Sequence, residues 1–262
     1  MDDLAALPVP LLGFLGSLIA GLCTGLGALP VFLRTRWSAG SQIMMLAVAA
    51  GVMLGATVFA LIVPAVDIVT TRTGSEIHGA LVASGGLLLG ALAIWLVHAT
   101  VPHEHFVKGA DGRVAIDLGR HWLFILAITI HNFPEGMSVG VAYGADLAAG
   151  IPVTFGIGLQ NMPEGLAVAA ALIGDGFTRR RAFFIALLTG LVEPIGGLLG
   201  ALAVSVSDIV LPWGLAFAGG AMLFVISGEI IPETHRGGVE RPATFALVVG
   251  FVVMMLLDIT LG

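Results

Sequence analysis

Eight long apolar runs alternate with short polar connectors along this chain, and this alternation limits what it can fold into. A helix needs roughly 20 mostly apolar residues to cross a bilayer, so each run predicts one transmembrane helix. Apolar residues make up 58% of the chain and charged residues only 11%, which is the balance of a membrane protein. The predicted spans cover residues 8–33, 42–69, 78–101, 121–143, 147–173, 182–205, 213–233 and 243–261.

The basic residues indicate how these spans are oriented. The first, third, fifth and seventh connectors hold ten of the eleven lysines and arginines, and only Arg72 lies in another connector. Because basic residues are enriched in cytoplasmic loops, we expect the odd connectors inside the cell and both termini outside. The N-terminus lacks the basic region and cleavage site of a signal peptide, so the first run is expected to remain as a span. The prediction is an all-α, multi-pass protein of the cell (inner) membrane, with one domain over residues 1–262.

Two near-identical hexapeptides place polar groups where the bilayer core is expected. They read HNFPEG over residues 131–136 and QNMPEG over residues 160–165. Ionisable side chains at that depth are costly and usually mark the path of an ion or substrate. Because the motif occurs in two consecutive spans, we predict one binding site built from two related helices.

Helix geometry puts the polar residues of each hexapeptide on one face. Residues four apart share a face, so His131 points the same way as Glu135, and Gln160 the same way as Glu164. An asparagine stands three residues before each glutamate and borders that face. Carboxylates supply charge, and imidazole and amide groups supply further donors, which together suit a divalent metal cation. The candidate ligands are His131, Asn132, Glu135, Gln160, Asn161 and Glu164.

The prolines of the two hexapeptides are expected to free backbone oxygens as well. A proline inside a helix has no N–H to donate to the carbonyl four residues earlier. Pro134 and Pro163 therefore leave the carbonyls of Ile130 and Leu159 without their helical partners. Such carbonyls are tolerated at membrane depth where the helix lines a cavity, although two ordinary kinks would be the alternative.

Three residues outside the hexapeptides join the candidates. Glu193, which precedes a proline in the sixth span, is a third carboxylate at similar depth. Met53 in the second span offers a soft thioether, although a single methionine in a span is more often a packing residue. Asp67, near the outer end of the second span, is either a ligand at the entrance or a solvated helix end.

Histidines and glutamates also gather at the predicted cytoplasmic ends of the third and seventh spans. They could pass a cation to the cytosol, or they could belong to an exposed polar loop. These residues are His98, His103, His105, Glu229, Glu233 and His235.

The two hexapeptides, the pair Glu193–Pro194 and the run IPETH over 231–235 resemble the signatures of the ZIP (Zrt/Irt-like) family of metal transporters, especially its bacterial GufA-like branch. The resemblance extends over all eight spans. It implies an inverted-repeat bundle that moves Zn²⁺ into the cytoplasm, with Cd²⁺, Fe²⁺ or Mn²⁺ as substrates in some members. It also implies an elevator motion, in which spans one, four, five and six slide as a unit.

The resemblance further implies two adjacent metal sites. The primary site would consist of Met53, His131, Glu135, Gln160 and Glu164. The second site would share both glutamates and add Asn132, Asn161 and Glu193. Many bacterial relatives have an aspartate where this chain has Asn161, and the amide removes one negative charge. We therefore expect either a single metal ion here or a weaker second one.

Two other functions stay open from the sequence. An intramembrane zinc-dependent hydrolase would normally need three protein ligands and a separate base, but only one histidine lies deep in a span. A proton-driven carrier of another solute would explain the carboxylates and leave the histidine and amides unexplained. As partners we expect a divalent metal ion, which is substrate and not catalytic cofactor, and membrane lipid, but no nucleic acid. The sequence leaves a homodimer open.

Overall fold

The computed structural model describes residues 6–33, 38–100, 103–105, 109–111, 120–207, 209–235 and 238–261. Within these residues the chain forms eight helical segments and one antiparallel hairpin of two short strands, β1 (His103–His105) and β2 (Gly109–Asp111). The helices are α1 (Val9–Ala28), α2 (Ala39–Ala56), α3 (Val63–Thr73), α4 (Glu76–Thr100), α5 (Arg120–Ala145), α6 (Leu147–Gly174), α7 (Arg179–Gly190), α8 (Glu193–Ser205), α9 (Val210–Val225), α10 (Ile231–Thr234) and α11 (Glu240–Leu261).

Local sequence signals set several helix ends. Ser38 caps α2 by accepting a hydrogen bond from the backbone N–H of Ser41 at 3.1 Å. Asp146 caps α6 in the same way, accepting from the N–H of Ala149 at 2.7 Å. These side chains satisfy amide groups that a helix start leaves unpaired. Gly74 ends α3 with a φ of 68°, a left-handed conformation that glycine adopts without strain.

Six helical stretches in the described part of the chain are long and apolar enough to cross a membrane. The helices α5 and α6 fall outside this set because each carries a polar hexapeptide, although both are continuous over the predicted fourth and fifth spans. The prediction of an all-α membrane protein is therefore confirmed. The six stretches are Val9–Phe32, Gly40–Thr73, Glu76–Thr100, Arg179–Ser205, Val210–Thr234 and Glu240–Leu261.

Four of the eight helical segments are irregular, and the first, Val9–Phe32, ends in a 3₁₀ helix over Leu29–Phe32. The second segment (39–73) contains the π-helical stretch Thr57–Ile62, and the seventh (210–234) contains Ile226–Ile230. Each stretch is followed within two residues by a proline. The sixth segment breaks between α7 and α8 at Leu191 and Val192. This break makes Glu193 the first residue of α8, where its carboxylate lies at the positive end of the helix dipole.

The helices pack as two bodies. In the first body α1 packs against α6 and α8, and α5 packs against α8, with α7 beside α1. In the second body α2 packs against α11, and α4 packs against α9 and α3. The two bodies meet mainly where α2 contacts α6 and where α9 contacts α5.

Glycines bring helix backbones into direct contact inside each body. A Cβ on Gly136 of α5 would overlap the backbone of Glu193, and a Cβ on Gly51 of α2 would overlap the backbone of Leu247. Between the bodies, the described glycines meet only side chains: Gly156 faces the thioether of Met254. At these glycines the helices within a body are held in backbone contact, while across the boundary the described glycines meet side chains.

Candidate metal centre

The two hexapeptides meet in the first body, where α5 and α6 face each other. His131 Nε2 lies 3.3 Å from Glu135 Oε1 and 4.0 Å from Glu164 Oε2. One potential ligand atom from each of these three residues lies within 4.8 Å of the other two. All three side chains are at most 5% exposed, so the group is enclosed in protein. The structure therefore brings together the histidine and both glutamates that the sequence selected.

A chain of amide hydrogen bonds runs beside this triad. Gln160 Nε2 donates to Glu135 Oε2 at 2.7 Å and to Asn161 Oδ1 at 2.5 Å. Asn161 Nδ2 donates to the carbonyl oxygen of Ala20 at 2.8 Å and to Glu193 Oε1 at 2.7 Å. The network joins α1, α5, α6 and α8, and it places Glu193 next to the second hexapeptide.

Glycine contacts explain why these helices come close enough for the network. Gly165 of α6 packs directly on the backbone of Thr24 in α1. Asn161 lies one turn before Gly165, and Ala20 lies one turn before Thr24, so this crossing holds the amide against the carbonyl. A side chain larger than hydrogen at position 165 would separate the helices.

Several polar atoms of the centre are buried without a hydrogen-bond partner. A buried unpaired polar group costs about 1–3 kcal/mol, and a charged one costs more, so a group of them in one place calls for a ligand. A cation would satisfy the oxygen atoms, and its charge would offset that of the carboxylates. In this centre the unpaired atoms are both side-chain atoms of Asn132, Glu135 Oε1, Gln160 Oε1, Glu164 Oε1 and Glu193 Oε2.

Met53 lies in α2, which belongs to the second body, and not in either of the helices that carry the hexapeptides. Its side chain is fully buried, and it belongs to the same apolar core as Ile157. Its carbonyl accepts a hydrogen bond from Thr57 Oγ1 at 2.8 Å, at the start of the first π-helical stretch. Its role as a metal ligand stays a prediction.

Asp67 is exposed and lines a cavity of about 520 Å³ at the predicted outer side. Asp146, at the start of α6, and Asp258, near the end of α11, line the same cavity, as does Arg72. The sequence pattern did not predict Asp146 or Asp258 as site residues. The sequence shows each of them only as an acidic residue near the end of a span. Which helix ends pack together around this cavity cannot be predicted from the sequence.

Two of the six residues predicted at the cytoplasmic side contact each other. His98 Nε2 of α4 lies 3.1 Å from Glu229 Oε1 in the second π-helical stretch. The ring of His98 also packs edge-on against Phe224, with 5.5 Å between ring centroids. This pair links the ends of the third and seventh segments.

The remaining residues of that set are arranged differently. Both ring nitrogens of His235 are engaged: Nδ1 lies 3.0 Å from the carbonyl oxygen of Ile231, and Nε2 lies 2.9 Å from Thr244 Oγ1. Its described contacts therefore link α10 to α11. Glu233 is half-buried in α10. His103 and His105 lie in β1, and their side chains fall outside the described residues.

The hexapeptides, the buried triad and the helical bundle agree with the comparisons to known proteins. The family profile of the ZIP zinc transporters matches residues 102–258. The chain belongs to the ZIP family. It is 49% identical over 251 residues to "Zinc transporter GufA" of Myxococcus xanthus, covering 95% of this chain and 99% of that protein.

Other ZIP proteins are similar over most of the chain. "Zinc transporter ZIPB" of Bordetella bronchiseptica is 44% identical over 249 residues, covering 95% of this chain and 81% of that protein. "Zinc transporter ZupT" of Chlorobaculum parvum is 31% identical over 256 residues, covering 93% and 95%. The predicted membership of the bacterial GufA-like branch is thus confirmed. The chain is a multi-pass membrane protein that transports metal, and it is not an enzyme, which removes the hydrolase alternative.

Proposed function

We propose that this ZIP protein carries Zn²⁺ across the cell membrane into the cytoplasm through the centre on α5 and α6. The observation that carries this proposal is the buried triad of His131, Glu135 and Glu164, whose ligand atoms lie within 4.8 Å of one another. The relatives named as zinc transporters support the choice of metal.

The spacing of the triad suits a small tetrahedral ion. Two ligand atoms at roughly 2.1 Å from Zn²⁺ and at a tetrahedral angle lie about 3.4 Å apart. The 3.3 Å between His131 Nε2 and Glu135 Oε1 matches this value, and the 4.0 Å to Glu164 Oε2 needs a shift of less than an ångström. Imidazole favours Zn²⁺ over Mn²⁺, so Mn²⁺ is proposed as a weaker substrate, with Cd²⁺ and Fe²⁺ as further candidates.

We propose that α5 and α6 are the fourth and fifth of eight spans, with both termini outside the cell. Their polar residues face inward, while Leu159 and Met162 of α6 are 41% and 38% exposed and present an apolar surface outward. The polar hexapeptides are thus shielded from lipid although they lower the hydropathy of their helices. The positions of the basic residues support the orientation.

The contacts within and between the two bodies support an elevator motion. The first body holds the whole amide network and triad, so it could move the ion without rearranging its ligands. Its helices are joined by backbone contacts at glycines such as Gly136. The second body meets it through side chains, as at Gly214, which faces Val204 and Val141. Side chains can exchange neighbours at such a surface while the backbone hydrogen bonds stay intact.

Zinc uptake into liposomes that contain the purified protein tests the proposal. We expect wild-type vesicles to accumulate labelled Zn²⁺, and Glu164→Ala vesicles to behave like empty ones. Glu76→Ala is a matched control, since Glu76 is an exposed glutamate at the start of α4. Wild-type vesicles that take up no more zinc than empty vesicles would contradict the proposal. A proton-driven carrier of another solute would give this result.

A further inference from the structure

We propose that the amide of Asn161 takes the place of a second cation, so that the centre holds one metal ion at a time. The inference rests on the proposed function and concerns the part of the centre between Asn161 and Glu193. It assigns Asn161 a positioning role, and it separates Glu193 from the residues that bind the ion.

The partners of the Asn161 side chain fix which of its two ends faces Glu193. The carbonyl of Ala20 can only accept a hydrogen bond, so the nitrogen must face it, at 2.8 Å. The same nitrogen donates to Glu193 Oε1 at 2.7 Å. The oxygen of Asn161 accepts from Gln160 Nε2 on the other side. Reversing the amide would set oxygen against oxygen at Ala20 and nitrogen against nitrogen at Gln160.

This orientation closes the position that a second ion would occupy. An ion bound between residue 161 and Glu193 needs an oxygen from residue 161, but an N–H of Asn161 points there. This N–H carries partial positive charge and faces the carboxylate directly. Glu193 is also the first residue of α8, a helix of 13 residues, whose N-terminal dipole favours a negative group. The carboxylate of Glu193 thus has two sources of compensation inside the protein, although one of its oxygens, Oε2, is buried without a hydrogen-bond partner.

Asn161 also orients a neutral ligand of the first ion. Both N–H bonds of the Gln160 side chain are used, one to Glu135 Oε2 and one to Asn161 Oδ1. The remaining oxygen, Gln160 Oε1, is buried without a hydrogen-bond partner. Groups that hold a ligand in place typically change metal affinity 10–100-fold when they are removed. Asn161 therefore acts on the ion through Gln160.

Counting the zinc ions bound per protein tests the inference. The full-length protein in detergent is titrated with Zn²⁺, and bound ions are counted by native mass spectrometry. We expect one ion for the wild type. Glu193→Gln should also bind one, because the oxygen of glutamine still accepts from Asn161. Asn161→Asp should bind two, since it replaces the N–H groups with carboxylate oxygen. The double variant Asn161→Asp/Glu193→Gln should return to one.

A second variant measures the positioning role. Asn161→Ala adds no ligand and frees the Gln160 amide to turn, so zinc affinity should fall about 10-fold while one ion still binds. Affinity is measured on the folded fraction from size exclusion, so that a loss of stability alone leaves it unchanged.

The outcomes separate this inference from the proposed function. A wild type that binds two ions and loses one on Glu193→Gln would overturn it. So would an Asn161→Asp protein that stays at one ion, or an Asn161→Ala protein with unchanged affinity. A wild type that binds no zinc would instead overturn the proposed function, and this inference with it.

Discussion

The two hexapeptides are nearly identical in sequence, yet the structure uses their asparagines in different ways. Asn132, in the first, is fully buried and neither its oxygen nor its nitrogen has a hydrogen-bond partner. Asn161, in the second, is equally buried, and its side chain makes three hydrogen bonds. The difference arises from neighbours: α1 and α8 supply Ala20 and Glu193 to the second asparagine.

The two copies of the motif thus differ in how many of their polar groups the protein itself satisfies. In the first hexapeptide both polar atoms of the asparagine are unpaired, while in the second the asparagine is satisfied by the protein and holds Gln160 in place. The glutamates do not follow this division, because Glu135 and Glu164 each keep one unpaired oxygen in the centre. The four predictions that follow test how far the two halves are equivalent.

The glutamates should be equivalent, and their removal should have the largest effect. Glu135→Ala or Glu164→Ala removes charge that a divalent cation needs, so we expect zinc affinity to fall more than about 100-fold and transport to be lost. Zinc uptake in liposomes and calorimetric zinc binding measure the two effects. Near-normal uptake by either variant, with the protein folded in the membrane, would show that the glutamate is not a ligand.

His131 and Gln160, the first residues of the two hexapeptides, should differ in their effect on metal selectivity. His131→Ala removes an imidazole, which suits Zn²⁺, and leaves the carboxylates, which suit Mn²⁺. We expect zinc affinity to fall about 10-fold more than manganese affinity. Parallel titrations with the two metals measure this, and Gln160→Ala provides the comparison, since it removes only a neutral amide. Equal losses for both metals in His131→Ala would argue against coordination by the imidazole.

The two asparagines should differ in how much each side chain stabilises the folded protein. Asn161→Ala removes the side-chain donor to Glu193 and the second of two donors to the Ala20 carbonyl, so we expect a loss of about 1–3 kcal/mol in stability. Asn132→Ala breaks no hydrogen bond of the described structure and removes two unpaired buried polar atoms, so it should not lower the stability of the metal-free protein. Thermal unfolding of both variants in detergent decides this. Similar shifts for the two asparagines would mean that the hydrogen-bond network does not stabilise the fold.

The smallest expected effect is on the pH dependence of zinc affinity. Carboxylate and imidazole ligands bind metal only when deprotonated, so protons and zinc compete and affinity should fall as pH is lowered. His131→Gln makes the first hexapeptide like the second and removes a titrating group, which should flatten the dependence between about pH 6 and 8. Zinc titrations at several pH values, with a dye to detect released protons, measure it. An unchanged slope in His131→Gln would exclude this histidine from the competition.

The sequence predicted the helices well because apolar runs of sufficient length leave few alternatives in a bilayer. It also predicted the triad, since the four-residue spacing of His131 and Glu135 fixes a common face. It could not show that Asn161 reaches Ala20, because this contact depends on how closely α1 and α6 cross. Asp146 and Asp258 were missed for the same reason. A proline follows the break before Glu193 and each π-helical stretch, but Pro134 and Pro163 lie inside continuous helices, so a proline alone does not predict these irregularities.

The glycine contacts also limit how this sequence can change over time. At Gly51, Gly136 and Gly165 a single added carbon would overlap the backbone of a neighbouring helix. Exposed apolar residues such as Leu88 and Ile259 face outward, where another apolar side chain fits equally well. Substitutions that accumulate without loss of function should therefore concentrate on the outward surface. The positions least free to vary include many with no side chain at all.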